Sequence, residues 1–352
     1  MTDRTHARDA FDQTLDQAYA RLHTTGPEFD GGLSNHGPMA VEALVRHGRD
    51  DAVTHWVDGY ARRLDEVPRA SDRITAETWR EALGDRSRLG DWPGWFAEQL
   101  QEAPWRAVLA TWWPRLLPGI AAGATHGAIR TGHAVRALRE YGATPARLDE
   151  LAQALGYWAA RWLPVPAASA PTGLVAPETA LALVPTVPEQ YGGVGRRLAQ
   201  LAELPGWVDA QRRVLAPSSA DDAEPWLAAI VTAAVRRYAT HAHGNPVMLV
   251  HAATAPNAVL RTLPSLPRDL WVPSAVAAWS AAAAIHAAYA PTEGFAPRAA
   301  EFDAEDVFDR AVAHGDEHAI KLADTALDVH GRTGDPLVLS AALRALELIE
   351  VD

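Results

Sequence analysis

The sequence predicts an all-α protein, a single large multi-helix domain with one central connection rich in Pro, Ala and Gly. Apolar residues recur three and four positions apart along most of the chain, which is the spacing of an amphipathic helix. Two-residue alternation is never sustained, so β-strands can at most be short. Gly48 and Gly315 are placed as caps at helix C-termini, and Pro246 and Pro336 as helix starts.

Six helical stretches with this spacing are predicted before the central connection. They begin at Phe11 (FDQTLDQAYARLH), Met39 (MAVEALVRHG), Asp51 (DAVTHWVDGYARRL), Trp105 (WRAVLATWWPRLLPGI), Ala128 (AIRTGHAVRALREYG) and Arg147 (RLDELAQALGYWAARWL). Six more are predicted after it. They begin at Ala223, Val247, Ala275, Ala304, Glu317 and Pro336.

The connection spans residues 163–195 and either divides the chain or crosses one helical domain as a long loop. We predict one domain over residues 8–348, because the histidines described below fall on both sides of the connection.

Composition excludes several classes of protein and site. The net charge of −12 disfavours nucleic acid and anionic membranes as partners, since both attract concentrated positive charge. The alanine-rich run from Ala275 contains His286 and is too short for a membrane span, so it is predicted to be a buried helix. The charged N-terminus lacks the apolar run of a signal peptide, which predicts a cytoplasmic protein. With no cysteine, any metal must be held by other side chains.

Histidines stand out in four contexts. His36 lies at the mouth of a predicted helix, His126 and His133 are seven residues apart on one helical face, and His251 interrupts an apolar helix. His318 and Lys321 are three residues apart, so their side chains share a helical face. His241 and His243 precede His251 and are placed at a helix end, where histidine favours the helix dipole. Most isolated helix-start histidines are caps or core hydrogen-bonding groups, which is the simpler interpretation of His36.

Lys321 is the only lysine in the chain, whereas the other residues of the combined 32 Lys and Arg are all arginine. A solvated surface lysine is the simplest interpretation. A buried lysine, unlike arginine, can lose its proton. The neutral amine can then form a Schiff base, act as a base, or add CO2 to give an anionic carbamate that offers oxygens to a metal.

Other motifs are weak. HGDEH, from His314, matches an inverted zinc-protease pattern, but Gly315 and Asp316 indicate a helix end there rather than one continuous helix. GGVG, from Gly192, lacks both the preceding strand and the spacing of a dinucleotide fingerprint.

Four stretches together resemble the questin oxidase-like family, over about residues 8 to 345. In chain order they are LSNHGPMAVEAL, THGAIRTGHAVRAL, VMLVHAAT and DEHAIKLADTAL. The resemblance implies a mononuclear non-haem Fe(II) site in an all-helical fold. It also implies O2-dependent oxidative C–C cleavage, of a Baeyer–Villiger or dioxygenase type, of an aromatic polyketide such as an anthraquinone or hydroquinone. An NADPH requirement is associated with the family, although no stretch resembles a nicotinamide site.

Carried over by position, the resemblance implies His36, His126, His251 and His318 as imidazole ligands and carboxylated Lys321 as the anionic ligand, with catalytic roles for Lys321 and His318. His133 is the main competitor for the role of His126. Two alternatives stay open: a metal-dependent hydrolase that uses a bound hydroxide, and a non-enzymatic helical protein that binds a small molecule. Trp112 and Trp113 are candidates for the wall of a flat aromatic pocket.

Overall fold

A computed structural model describes residues 13–296 and 301–351. It is 68% helical, with 17 helices and one two-stranded sheet among the described residues. The all-α prediction is therefore confirmed. The first two residues of the helix predicted from Phe11, the charged N-terminus and the predicted domain start at residue 8 lie outside the described residues.

Contacts group the chain into two compact units, Met1–Leu163 and Pro164–Asp352. The boundary coincides with the start of the predicted central connection. The prediction of one domain over residues 8–348 stays a prediction.

The N-terminal unit contains eight helices and a short hairpin. The elements are α1 (13–22), β1 (Glu28–Phe29), β2 (Leu33–Ser34), α2 (Gly37–Arg46), α3 (Asp50–Tyr60), α4 (Trp79–Ala82), α5 (Trp92–Glu102), α6 (Trp105–Leu116), α7 (His126–Glu140) and α8 (Pro145–Ala160). Short 3₁₀ turns lie at Ala61–Arg63, Arg86–Arg88 and Leu117–Gly119.

The C-terminal unit contains nine helices. They are α9 (Pro177–Ala182), α10 (Val194–Ala199), α11 (Trp207–Arg213), α12 (Ala220–His241), α13 (Pro246–Thr262), α14 (Trp271–Tyr289), α15 (Ala304–His314), α16 (Glu317–Thr333) and α17 (Leu337–Leu348). Its 3₁₀ turns lie at Gln200–Ala202, Ala242–Gly244, Leu263–Ser265 and Arg268–Leu270.

All twelve predicted stretches contain a helix, and five further helices were not predicted. Four of the five have four to seven residues, too few to establish a period. The fifth, α5, has eleven residues; Pro93 in its first turn is a helix-start signal, but Gly94 beside it is a weak helix former. The antiparallel strands β1 and β2 flank Asp30, Gly31 and Gly32. Periodicity does not reveal a hairpin this short, although Asp-Gly is a hairpin signal.

The residues after Leu163 form more than a loop. Helix α9 lies within the predicted connection, and Gly173 and Val175 form parallel bridges with Leu215 and Val214. These backbone bonds attach the Pro-rich chain to the C-terminal unit, which explains how a segment with few long helices is held in place.

One stretch of the described residues, Arg268–Tyr289, is long and apolar enough to cross a membrane, with a mean hydropathy of 1.3. Its most apolar window is 72% buried. Helix α14 carries apolar side chains on all of its faces, as expected of a helix packed inside a protein. The buried helix predicted from Ala275 is confirmed, and its burial is consistent with a soluble protein.

Close packing between α7 and α8 generates a stability prediction. A Cβ on Gly127 would lie 2.6 Å from Trp158 Cγ and 2.7 Å from Trp158 Cβ. The substitution Gly127→Ala must therefore displace either the Trp158 side chain or helix α7. We expect a loss of about 1–3 kcal/mol in the free energy of unfolding, measured by urea denaturation.

Gly59→Ala is the matched control, because a Cβ there meets no atom within 4 Å inside α3. It is expected to be neutral or to stabilise by up to about 1 kcal/mol. Equal effects of the two changes would contradict close packing at Gly127.

Candidate metal centre

His36 and His126 meet in the N-terminal unit. His36 is the residue before α2, where Asn35 Oδ1 accepts a hydrogen bond from Gly37 N–H at 2.9 Å and Pro38 follows in the first turn. His126 is the first residue of α7. The two Nε2 atoms lie 2.6 Å apart, and both side chains are buried.

An unusual backbone segment precedes His126. Gly123, Ala124 and Thr125 have φ angles of 52°, 57° and 74°, all in the left-handed region. That region is disfavoured for the two non-glycine residues by sterics. The segment brings Gly123 O within hydrogen-bond reach of His126 Nδ1. Local strain of this kind often accompanies functional sites.

The carbonyl contact fixes the tautomer of His126. Because a carbonyl oxygen only accepts, His126 Nδ1 must donate to Gly123 O, which leaves a lone pair on Nε2 of the neutral ring. That lone pair faces His36 Nε2. The close contact therefore requires either a proton or a cation shared by the two rings. On the other side of His36, Tyr60 Oη accepts from the backbone N–H at 2.6 Å and lies 3.5 Å from Nδ1.

His251 and His318 meet in the C-terminal unit, with ring centroids 5.8 Å apart. His251 lies inside α13, and its Nδ1 donates to Met248 O at 3.0 Å, so its Nε2 also carries the lone pair that a metal needs. Burial holds the pKa of His251 well below its ordinary value, and the charges of Lys321 and His318 act in the same direction. His251 is consequently neutral.

The first turn of α16 positions His318. Asp316 caps the helix, and its Oδ1 accepts from the backbone N–H of His318 at 2.8 Å and of Ala319 at 3.1 Å. Burial would raise the pKa of Asp316, but the bonds with His318 and the helix start lower it to about 2. Gly315 caps α15 with φ 84°, so HGDEH spans two helices and the continuous helix of a zinc protease is absent.

Lys321 lies one turn after His318 on α16 and is completely buried. No hydrogen-bond partner for its Nζ occurs among the described residues. Burial lowers the pKa of Lys321 from its usual 10.5 to about 7, although Glu317 and Asp316 act in the opposite direction. The surface interpretation of this lysine is therefore wrong, and a large fraction of its amine is neutral near pH 7.

The four histidines His36, His126, His251 and His318 form a buried group that could hold a metal ion. Their potential ligand atoms all lie within 4.8 Å of one another. Asp316, Glu317 and His318 form a second such group. Four imidazoles, at least two with Nε2 lone pairs fixed by backbone carbonyls, suit a first-row transition metal.

His133 does not belong to either group of potential ligands. Its Nδ1 contacts Glu42 Oε2 at 2.7 Å, and Arg136 pairs with the same carboxylate. Burial would raise the pKa of Glu42, but Arg136 and His133 lower it to about 2. This buried ion pair joins α2 to α7, the helices whose N-terminal ends carry His36 and His126. His126 thus contacts His36, whereas His133 contacts Glu42, and the choice of His126 as the ligand stays a prediction.

The structure also shows the contacts of other residues near the predicted site in sequence or in space. Asp324 pairs with Arg261 at 2.6 Å, which joins α16 to α13. Trp112 and Trp113 are buried, and Trp112 packs against Trp79; a role of either in a pocket wall stays a prediction. Tyr60 and Gly123 were not predicted. No local pattern indicated the contact of Gly123 with His126, and Tyr60 reaches His36 through tertiary packing.

A search of protein-family models finds no match to this sequence. No curated protein matches it either. The resemblance to the questin oxidase-like family stays a prediction.

The burial of Lys321 predicts its titration. Because it is the only lysine, protein labelled with ¹³C at lysine Cε gives one signal to follow in chelator-treated protein. We expect a midpoint near pH 7 in the folded state and near 10.5 in urea. The unfolded chain thus binds a proton that the folded chain lacks between these values, so this group makes folding more favourable as the pH rises through that window. A folded-state midpoint above 10 would contradict the buried environment.

Proposed function

We propose that this protein is an Fe(II)- and O2-dependent oxygenase that cleaves a C–C bond in an aromatic polyketide. The observation that carries the proposal is the buried four-histidine group with buried Lys321, whose Nζ has no hydrogen-bond partner in the described part of the chain, one turn after His318. The substrate class rests on the sequence resemblance.

The donor set favours a transition metal such as iron over magnesium and calcium. Imidazole binds Fe, Zn, Cu and Ni, whereas Mg and Ca prefer oxygen ligands. The group contains no thiolate, since the chain has no cysteine. Of the metals that remain, iron is the one that the family resemblance implies and that supports O2 chemistry. When bound, Fe(II) supplies binding and reductive activation of O2.

A divalent ion among neutral imidazoles needs a negative charge in a buried setting. Lys321 can provide it as a carbamate. The amine lone pair forms a bond to the carbon of CO2, one C=O electron pair moves onto oxygen, and the amine releases one proton to solvent. Arginine cannot follow this route because the guanidinium keeps its proton. The lowered pKa of Lys321 supports the idea, because only the neutral amine reacts.

The chain's own residues orient and isolate the site. The carbonyls of Gly123 and Met248 hold the rings of His126 and His251 with Nε2 free. Such outer bonds fix ligand orientation and basicity. Burial of all four rings excludes bulk water, which protects reactive oxygen chemistry from side reactions.

Metal binding tests the ligand set. After anaerobic loading with Fe(II), we expect wild-type protein to retain about one iron per chain, and His36→Ala and His251→Ala to lose it because each removes an imidazole from the group. Elemental analysis after gel filtration gives the stoichiometry. His55→Ala is the matched control, because His55 is exposed on α3 and lies outside the group.

Lys321→Arg extends this experiment. It should also abolish iron retention, and added bicarbonate should not restore it. In ¹³C-bicarbonate buffer, wild-type protein should show a carbamate signal that this variant lacks. Iron retention by both His36→Ala and His251→Ala would contradict the metal centre. Iron retention by Lys321→Arg alone would contradict only the carbamate.

Oxygen uptake tests the reaction. With electron-rich hydroxyanthraquinones and their hydroquinones, we expect O2 consumption by iron-loaded wild-type protein and at least a 100-fold slower rate for His251→Ala. Mass spectrometry of products formed under ¹⁸O2 should find ¹⁸O in a ring-opened acid or lactone. Zinc binding with hydrolysis and no O2 uptake would instead support the metal-dependent hydrolase.

A further inference from the structure

A separate cavity of about 290 Å³ lies in the C-terminal unit. The end of α14 lines it on one side, the segment after α9 lines it on another, and Arg237 of α12 contributes a guanidinium. None of its lining residues belongs to either group of potential metal ligands. The described lining residues include no carboxylate.

Arg237 carries a positive charge that the described residues do not balance. The residue is partly exposed and forms no ion pair with them, and its Nε is buried without a hydrogen-bond partner. Burial lowers its pKa, and no neighbouring carboxylate acts in the opposite direction. The adjacent Arg236 differs, since it pairs with Asp335 and Glu178. A guanidinium cannot shed its proton, so one whose Nε is buried without a partner favours an anion nearby.

His286 is a second unmatched group in the same cavity. It is 3% exposed, and neither ring nitrogen has a hydrogen-bond partner among the described residues. Buried polar side chains nearly always have partners. Burial lowers the pKa of His286 to about 3, with Arg237 and His241 adding to the effect, so the ring is neutral and offers one N–H donor.

Two hydroxyl groups complete the polar lining. Thr186 and Thr292 both line the cavity, and Thr186 Oγ1 donates to Ala290 O at 3.4 Å. A trapped water molecule could satisfy His286, but it could not balance the charge of Arg237. A bound anion does both.

We propose that this cavity binds the oxyanion group of a small molecule, a carboxylate or a phosphate. Arg237 supplies the charge, and His286 donates a hydrogen bond. The volume accommodates inorganic phosphate or a short carboxylic acid, since pockets for larger ligands begin near about 300 Å³. The site is independent of the metal centre, so neither proposal depends on the other.

Calorimetry with phosphate, acetate and malonate at constant ionic strength tests the proposal. We expect saturable binding of at least one anion to wild-type protein, and affinity at least about tenfold weaker for Arg237→Gln, because a charge-assisted hydrogen bond is lost. Arg236→Gln is the matched control and should bind like the wild type. Tighter phosphate binding would assign the cavity to phosphate esters, and tighter carboxylate binding would assign it to carboxylic acids.

A second measurement needs no variant. Wild-type protein labelled with ¹⁵N-histidine should show a saturable shift of the His286 ring signals during the same titration. Absence of saturable binding, or equal losses in Arg237→Gln and Arg236→Gln, would overturn the proposal. A shift spread evenly over all histidine signals would do the same.

Discussion

The complete burial of the Lys321 amine is the constraint on which the proposed metal centre depends. A buried lysine must be neutral, paired or chemically changed, because an isolated ammonium in a protein interior is costly. Lys321 has no hydrogen-bond partner among the described residues, and Glu317 and Asp316 only partly offset the effect of burial on its pKa. A large fraction of this amine is therefore neutral near pH 7. His318, one turn earlier on the same helix, belongs to the histidine group that could hold a metal ion.

Backbone carbonyls determine which nitrogen of two of the buried histidines remains free. A neutral imidazole can present either nitrogen to a metal, and the choice is set by what binds the other nitrogen. Gly123 O and Met248 O make that choice for His126 and His251, in two different units of the chain. The cost at His126 is visible in Ala124 and Thr125, which adopt left-handed angles that their side chains disfavour.

Sequence patterns predicted the long helices and the histidine contexts, because both are local. Helical spacing is a property of neighbouring residues, and so is the pairing of His318 with Lys321 at i and i+3. The choice between His126 and His133 stayed open, since both fall on one face of α7. The contact of His133 with Glu42, a residue of α2, bears on that choice and could not be found from the local pattern. The contact of Tyr60 with His36 was equally inaccessible, because it arises from the packing of α3 and not from any local motif.

The buried arginines show why the single lysine is physically distinct. The four most buried arginines, Arg130, Arg136, Arg147 and Arg261, each pair with a carboxylate. They must, since a guanidinium stays charged in any protein environment. Lys321 is more deeply buried than all four and has no such pair among the described residues, which a group that can lose its proton tolerates. Arginine at this position would bring an unpaired charge into the core, so the chain's general preference for arginine stops where burial requires a neutral base.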